Sequence, residues 1–308
     1  MHNKRVLIVD EVHPSMAEGL TKLGFEVETR LGLSADEFRR ILPSFDGLVI
    51  RSKFKITADT LENTHLSFIA RAGAGLDLVD LDACIARGIA VFAANEGNAD
   101  AVAEHVIGQI LSLAHKLHTS DTEIRHGLWE REGNRGFEIK GKTIGIIGYG
   151  NMGKAVASRL SGFGMKILAY DKYAPSLDFP ASLAQIFEEA DVLSLHIPLS
   201  EETRGLVSTE FLESFKKPIL FINSSRGPIS PLEPLLQGLR SGKIRGVALD
   251  VLPNEKLSTW SPVEKEIFTE IAAYPATIFS PHVAGWTTES YFKINEVLLE
   301  KIKTHFSV

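Results

Sequence analysis

Short apolar runs alternate with longer amphipathic stretches along the whole 308-residue chain, and this alternation limits the possible folds more than any other feature. The runs are too short for buried helices, and they lack the apolar–polar alternation of half-exposed strands, so they predict strands buried on both faces. Strands of this kind, separated by helices, form parallel sheets that are covered by helices on both sides. The predicted fold class is therefore α/β, with two doubly wound parallel sheets.

The predicted strands fall into two sets along the chain. The first set is Val6–Val9, Phe25–Val27, Leu48–Ile50, Phe68–Ala70 and Ile89–Phe92. Helix-like spacing lies between them at Ser15–Leu23, Ala35–Leu42, Ala58–Glu62 and Leu78–Arg87. The second set is Thr143–Ile147, Met165–Tyr170, Val192–Ile197, Ile219–Ile222, Val247–Leu249 and Thr277–Phe279. Two sets of strands predict two domains, which the length of the chain also favours.

A long amphipathic stretch marks the boundary between the two sets. Asn98–Leu117 carries apolar residues at helical spacing and predicts one long helix. The polar, charged segment 119–136 follows; it is either a loose connection or an arm that packs on another subunit. The last amphipathic stretch, Thr287–Phe306, comes after the final strand and predicts a helix that crosses back to the first domain.

Composition and charge exclude several classes of protein. The 39 acidic and 33 basic residues give a net charge of −6, which provides no basic surface for nucleic acid and no polybasic anchor for a membrane. The single cysteine, Cys84, excludes an intramolecular disulfide and suits a reducing compartment. The apolar run Val6–Val9 is too short for the core of a signal peptide. We therefore expect a cytoplasmic protein that binds neither nucleic acid nor membrane.

The most specific local pattern is the glycine motif that follows the strand Thr143–Ile147. The motif reads Gly148-Tyr149-Gly150-Asn151-Met152-Gly153. Glycines at this spacing permit a tight turn and a close approach to a pyrophosphate, and the start of the following helix offers N–H donors to the phosphates. The next strand ends at Asp171, where the pattern expects a carboxylate on the ribose hydroxyls. A carboxylate repels a 2′-phosphate, so the sequence predicts NAD, although the adjacent Lys172 leaves NADP open.

Three other strands of the second set lead to residues suited to acid–base chemistry. Arg226, Glu255 and His282 follow the strands that end near Ile222, Leu249 and Phe279. Ligands bind at the carboxyl ends of the strands in such a sheet, so we expect the three side chains to converge. Reduction of a 2-oxo acid requires a cation for the carboxylate and carbonyl, which arginine supplies. It also requires a proton donor, which a histidine beside a carboxylate supplies. No metal is predicted.

These motifs together resemble the D-isomer-specific 2-hydroxyacid dehydrogenase family over nearly the whole chain. The resemblance is carried by the glycine motif, Asn223-Ser224-Ser225-Arg226-Gly227, Leu249-Asp250-Val251 with Glu255, and Pro281-His282-Val283-Ala284-Gly285. It implies a Rossmann dinucleotide-binding domain, residues 98–285 with the arm 119–136, inserted in a flavodoxin-like substrate domain, residues 1–97 and 286–308. It also implies that Arg226 binds substrate, that His282 is the acid/base and that Glu255 is its partner.

The resemblance implies further ligand contacts in both domains. The implied NAD contacts are Gly148, Tyr149, Gly150, Asn151, Met152, Gly153, Asp171, His196, Pro198, Thr203, Ser224 and Asp250, the last on the nicotinamide carboxamide. The implied substrate contacts are Arg51, Ser52, Arg71, Ala74, Gly75, Asn98 and Arg131.

The substrate-facing segments are most similar to those of the branch of the family that acts on 3-phosphoglycerate. Arg51, Lys53, Arg71 and Arg131 are candidate phosphate contacts, and each is equally compatible with a solvated surface charge. We expect reversible NAD-dependent oxidation of D-3-phosphoglycerate to 3-phosphohydroxypyruvate, a step of serine biosynthesis, by a homodimer. The alternatives are a glyoxylate or hydroxypyruvate reductase and, more remotely, an NAD(H)-sensing protein resembling a corepressor. Trp286 follows the His282 motif as in several members that act on other substrates.

Overall fold

The computed structural model describes residues 4–174 and 176–307, and it contains two parallel sheets flanked by helices, as the sequence predicts. The chain divides into two compact units. The first unit is Met1–Ala99 with Trp286–Val308, and the second is Asp100–Gly285. The outermost residues of the predicted substrate domain, 1–3 and 308, lie outside the described residues. No helix formed by the described residues is long and apolar enough to span a membrane.

The first unit is built on a five-stranded parallel sheet with the order β2-β1-β3-β4-β5. Its strands are β1 Arg5–Ile8, β2 Glu26–Thr29, β3 Gly47–Ile50, β4 Phe68–Arg71 and β5 Ala90–Ala93. Its helices are α1 Ser15–Lys22, α2 Ala35–Ile41, α3 Leu81–Ala86 and α11 Thr288–Phe306. This strand order is that of flavodoxin-like sheets, which confirms the expected fold.

Apolar side chains cover both faces of the first sheet. Phe38 of α2 and Cys84 of α3 pack on one face, and Met16 of α1 and Leu298 of α11 pack on the other. The helix predicted at the end of the chain therefore forms as expected and packs against α1.

The second unit is built on a six-stranded parallel sheet with the order β11-β10-β9-β8-β6-β7. Its strands are β6 Thr143–Ile147, β7 Lys166–Tyr170, β8 Val192–Leu195, β9 Ile219–Asn223, β10 Ile244–Leu249 and β11 Thr277–Phe279. Its helices are α4 Ala99–Ala114, α5 Leu117–Arg125, α6 Asn151–Ser161, α7 Leu183–Glu189, α8 Thr209–Glu213, α9 Leu232–Arg240 and α10 Pro262–Ala273. An isolated parallel bridge between Ala169 and Pro180 adds one position beyond β7, which completes the Rossmann order.

The prediction of one long helix at Asn98–Leu117 is wrong at its C-terminal end. Helix α4 ends at Ala114, and Lys116 takes a left-handed conformation with φ 53°, after which α5 begins in a new direction. The returning chain caps α4, because the amide of Phe137 donates to the carbonyl oxygen of Ala114 at 2.9 Å. The first part of the segment 119–136 is helical, because α5 continues as far as Arg125.

The prediction of a helix at Ala58–Glu62 is also wrong. Only the single 3₁₀ turn Asp59–Leu61 forms there. A segment this short does not recover the cost of helix nucleation, whatever its spacing of apolar residues.

Candidate active site

The glycine turn between β6 and α6 has two positions at which only glycine fits. Gly148 has φ 94°, and a Cβ on it would lie 2.3 Å from the carbonyl oxygen of His196. A Cβ on Gly153 would lie 2.1 Å from the carbonyl oxygen of Gly148, so helix and turn are in contact there. At Gly150, by contrast, no described atom lies within 4 Å of the Cβ position. The turn therefore leaves open space directly before the N-terminus of α6, where a pyrophosphate fits.

Asp171, directly after β7, holds the glycine turn in place. Its Oδ2 accepts the amide of Tyr149 at 2.7 Å, and its Oδ1 accepts the amides of Tyr173 at 2.8 Å and Ala174 at 3.1 Å. A carboxylate has about four lone-pair positions, so about one is left for a ribose hydroxyl. Asp171 fits both the predicted role and this structural one.

Two predicted cofactor residues have side chains that form hydrogen bonds with other side chains of the second unit. The phenol of Tyr149 is 2% exposed and donates to Asp178 at 2.9 Å, and burial raises its pKa to about 12. The ring of His196 is hydrogen bonded to Ser194 at 2.9 Å, and burial lowers its pKa to about 4. Both side chains are therefore uncharged at neutral pH.

The remaining predicted cofactor residues of this region lie at the surface or in loops. Asn151 is exposed and Met152 half-buried in the first turn of α6. Thr203 Oγ1 donates to the carbonyl oxygen of Pro198 at 2.7 Å and fixes the loop that follows β8.

The loop that carries Arg226 is organised by Asn223, the last residue of β9. The fully buried amide of Asn223 accepts from the Ser225 amide at 2.9 Å and donates to the Arg226 carbonyl at 3.0 Å and to Ser230 at 2.8 Å. Arg226 Nη1 donates to the carbonyl oxygen of Ser225 at 2.8 Å. The guanidinium is therefore presented from a rigid loop at the carboxyl end of the sheet.

Ser224 lies in the same loop and supports the assignment of a cofactor site. Its hydroxyl oxygen is buried and has no hydrogen-bond partner among the described residues. Because buried polar groups in proteins are nearly always paired, this hydroxyl fits a bound polar ligand. The open space at Gly150, the remaining acceptor position of Asp171 and the unpaired Ser224 hydroxyl are the features that a dinucleotide requires.

His282 and Glu255 form the expected pair. His282 Nδ1 lies 2.8 Å from Glu255 Oε1, and both side chains are about half exposed, at 47% and 49%. His282 has φ 57°, a conformation that is unusual for a residue other than glycine and recurs at functional sites. Its amide donates to the carbonyl oxygen of Asp250 at 2.7 Å. Among the described residues nothing binds its Nε2.

Asp250, at the end of β10, holds the loop that carries His282. Its carboxylate accepts the Ser280 hydroxyl at 2.6 Å, the Val283 amide at 2.9 Å and the Ala284 amide at 2.8 Å. The side chain is fully buried, and His105 Nε2 lies 3.7 Å from its Oδ1. The predicted contact with the nicotinamide stays a prediction; the structure gives this carboxylate a second role, as the support of the His282 loop.

In the first unit, the loop after β3 is held by Asp10, which lies two residues after the end of β1. Asp10 Oδ2 accepts the amides of Arg51 at 2.5 Å, Ser52 at 3.1 Å and Lys53 at 3.3 Å. The Arg51 guanidinium lies flat over the Trp286 ring, 3.7 Å from the centroid. No carboxylate among the described residues forms an ion pair with it, so its N–H groups are available to an anionic ligand.

Three other predicted substrate residues of this unit lie at or directly after the end of β4, and Asn98 lies directly before α4. Arg71 Nε donates to the Arg51 carbonyl at 3.1 Å, and its guanidinium covers Gly73, where a Cβ would lie 1.8 Å from Nη1. Ala74 and Gly75 are half-buried in the same loop. The Asn98 Oδ1 atom is buried without a hydrogen-bond partner among the described residues, which again fits a ligand.

Arg131 is the predicted substrate residue that belongs to the second unit. It is exposed in the segment after α5, and the described residues give it no hydrogen bond or ion pair. Large apolar side chains are exposed at the end of α5 and in the segment that follows it: Ile124 is 50%, Leu128 54% and Trp129 79% exposed.

The described residues contain no group of three or more His, Cys, Asp or Glu side chains placed to hold a metal ion.

The sequence reasoning missed three supporting residues. Asp10 and Asn223 each stand at the carboxyl end of a strand, and the strand-end rule applied to Arg226, Glu255 and His282 would have found them. His105, which lies 3.0 Å from the Ser280 hydroxyl, carries no such signal, because it sits in the middle of a helix.

The comparisons with known proteins agree with this geometry. The family model described as "D-isomer specific 2-hydroxyacid dehydrogenase, NAD binding domain" matches residues 107–284. The chain is 36% identical over 274 residues to a hydroxypyruvate reductase from Thermotoga maritima, covering 88% of each chain. It is 32% identical over 309 residues to a D-3-phosphoglycerate dehydrogenase from Archaeoglobus fulgidus, covering 97% of this chain but 56% of that relative.

A solved structure shows the same fold over nearly the whole chain. It is the D-lactate dehydrogenase from Aquifex aeolicus complexed with NAD and lactic acid, with a TM-score of 0.85 and 25% identity. The match covers 98% of this chain and 95% of that one.

Proposed function

We propose a function from one premise: this chain belongs to the D-isomer specific 2-hydroxyacid dehydrogenase family. Membership makes it an NAD-dependent oxidoreductase. We assign NAD binding to the second unit and substrate binding to the first, and we assign the reversible oxidation of a D-2-hydroxy acid to the 2-oxo acid as the reaction.

The observation that carries this proposal is the close pairing of His282 with Glu255, whose Nδ1 and Oε1 atoms lie 2.8 Å apart. The two residues follow β11 and β10, strands of the same sheet that carries the glycine turn. NAD, when bound, supplies the hydride acceptor. His282 Nε2 removes the hydroxyl proton of the substrate during oxidation and returns it during reduction. Glu255 fixes the tautomer of His282 and stabilises the imidazolium form. Arg226 holds the carboxylate of the substrate and the oxygen of the new carbonyl group.

Substitution of His282 by Asn tests this assignment. Asparagine tolerates the left-handed backbone of position 282, so the loop is preserved while the proton carrier is lost. We expect kcat to fall by about 10²–10⁴-fold. The Kd for NADH, measured by fluorescence titration, should stay within about threefold because the side chain is not needed to bind the cofactor. Retention of more than a tenth of wild-type kcat would remove His282 from the acid–base role.

We propose D-3-phosphoglycerate as the substrate, which places the reaction in serine biosynthesis. Arg51 directly follows β3, and Arg71 is the last residue of the adjacent parallel strand β4, paired in register to Ile50. The absence of a carboxylate partner for Arg51 among the described residues supports a role for its guanidinium in binding a phosphate.

Hydroxypyruvate or glyoxylate is the second candidate substrate. The Thermotoga maritima relative, a hydroxypyruvate reductase, supports it, because it is 36% identical to this chain over 274 residues. The stacking of Trp286 on Arg51 also supports the smaller substrates, because the indole ring covers one face of the guanidinium and narrows the space there for a phosphate.

Initial rates of NADH oxidation with 3-phosphohydroxypyruvate, hydroxypyruvate and glyoxylate distinguish these proposals. A kcat/KM at least about 100-fold higher for the phosphorylated acid would support 3-phosphoglycerate, since a phosphate held by two guanidinium groups is worth several kcal/mol. Equal or higher values for the small acids would refute it in favour of the second candidate. No turnover with any acid, together with tight NADH binding, would favour an NAD(H)-sensing protein.

We also propose that the chain forms a homodimer through the segment 119–136. The exposed side chains of Ile124, Leu128 and Trp129 support this, because an apolar group of this kind is usually covered by a partner. Light scattering should give twice the chain mass, and Trp129→Glu should give a monomer.

A further inference from the structure

Lys172, Tyr173 and Glu202 form a hydrogen-bonded clasp on the surface of the second unit. The Lys172 ammonium donates to Glu202 Oε1, and the Tyr173 hydroxyl donates to Glu202 Oε2 at 2.6 Å. Both carboxylate oxygens of Glu202 are therefore engaged, and the ammonium of Lys172 is neutralised by a direct ion pair.

The topology of the sheet places this clasp at the adenosine end of the cofactor site. Lys172 and Tyr173 follow β7, and Glu202 lies in the loop that follows β8. Strands β7 and β8 are the two neighbours of β6, so the clasp crosses the end of the strand that carries the glycine turn. Lys172 is also the residue directly after Asp171, the carboxylate that the sequence pattern assigns to the ribose.

The charges in this region decide between the two nicotinamide cofactors. A 2′-phosphate at the ribose would meet the Asp171 carboxylate, and a lysine beside that carboxylate could offset the repulsion only with a free ammonium group. Glu202 and Tyr173 raise the pKa of Lys172, and Lys172 and Tyr173 lower the pKa of Glu202, so both members of the pair are charged at neutral pH. The pair contributes little to stability, because it is exposed.

We propose that Glu202 is a cofactor-specificity residue that favours NAD over NADP by binding the Lys172 ammonium and withholding it from a 2′-phosphate. This inference rests on the cofactor site proposed above. The sequence leaves NADP open because of Lys172, and the clasp supplies the reason why this lysine does not favour it.

The test is direct binding of NADH and NADPH to the full-length protein, without substrate, by fluorescence titration. Glu202→Gln keeps the size of the side chain but removes its charge, which frees Lys172. We expect the Kd for NADPH to fall by about 10-fold, the effect of one charge-assisted contact, and the Kd for NADH to stay within about twofold. The double variant Lys172→Met/Glu202→Gln should return the Kd for NADPH to the wild-type value.

Glu189→Gln is the matched control. It breaks the ion pair between Lys166 and Glu189, which is also exposed and also involves a lysine of the β7 region, but at the amino end of that strand. This variant should leave both Kd values unchanged.

Three results would overturn the proposal. The first is an unchanged ratio of the two Kd values in Glu202→Gln, and the second is an equal weakening of both cofactors, which would make the clasp merely structural. The third is a gain in NADPH affinity that persists in the double variant, since another cation would then be responsible. Because no substrate is present, these results leave the dehydrogenase assignment intact, whereas failure of the wild-type protein to bind NADH would refute the cofactor site itself.

Discussion

Replacement of Asp250 by Asn tests whether a buried carboxylate supports the loop that carries His282. The carboxylate accepts three hydrogen bonds, from the Ser280 hydroxyl and from the amides of Val283 and Ala284. An asparagine oxygen can replace Oδ1 and keep the first two. Its NH₂ group then faces the Ala284 amide, so that two donors oppose each other in a buried position.

The expected loss of stability follows from these contacts. The loss of one hydrogen bond to a charged group costs about 2 kcal/mol, and the unsatisfied buried donor costs at least about 1 kcal/mol more. We therefore expect the free energy of unfolding to fall by about 3 kcal/mol, and the melting temperature of the second unit to fall by roughly 10 °C. Because the loop positions His282, kcat should fall at least about 10-fold.

Urea unfolding, kcat and the Kd for NADH are measured on the same preparations. Asp191→Asn is the matched control, because the Asp191 carboxylate accepts a single amide, that of Thr143 at 2.9 Å, which an asparagine oxygen can also accept. The control should lose no more than about 1 kcal/mol and keep its kcat. An Asp250→Asn protein of unchanged stability, with a Kd for NADH raised 10-fold or more, would refute a supporting role and place the carboxylate on the cofactor.

Three further predictions concern the site and its pH dependence. Glu255→Gln should lower kcat by about 10-fold or more and leave the Kd for NADH within about twofold, because the amide holds His282 Nδ1 less well than the carboxylate does; an unchanged kcat would contradict the pairing. Burial lowers the pKa of His196 to about 4, so between pH 6.5 and 4 the unfolded chain binds a proton that the folded chain does not, and stability falls as the pH falls. Between pH 7 and 4.5 this loss should reach about 2–3 kcal/mol by urea unfolding and should be absent in His196→Asn; equal losses in both proteins would refute it. Trp286→Leu removes the ring on which Arg51 stacks and should raise KM for the preferred 2-oxo acid by about 5-fold with little change in kcat, whereas Phe137→Leu, which removes the ring beside a different arginine, should change neither.

The sequence by itself determined the fold class and the nucleotide turn. Burial on both faces of a strand and the spacing of an amphipathic helix are local patterns, so the strands of both sheets could be located to within a few residues. The glycine turn was equally readable, because its constraints arise within one strand, one turn and one helix. The prediction that the helix continues to Leu117 was wrong, because the end of the helix is set by the returning chain at Phe137, which lies far along the sequence.

Only the tertiary structure decided which side chains support the site. His105 reaches the Ser280 hydroxyl across 175 positions, Asp10 holds the Arg51 amide across 41, and Glu202 binds Lys172 across 30. Such pairs depend on which strands are neighbours in the sheet and on which loops meet at its carboxyl edge, and neither can be read from residue spacing. The sequence therefore located the candidate site residues at strand ends, whereas the order of the strands decided which other residues keep them in position.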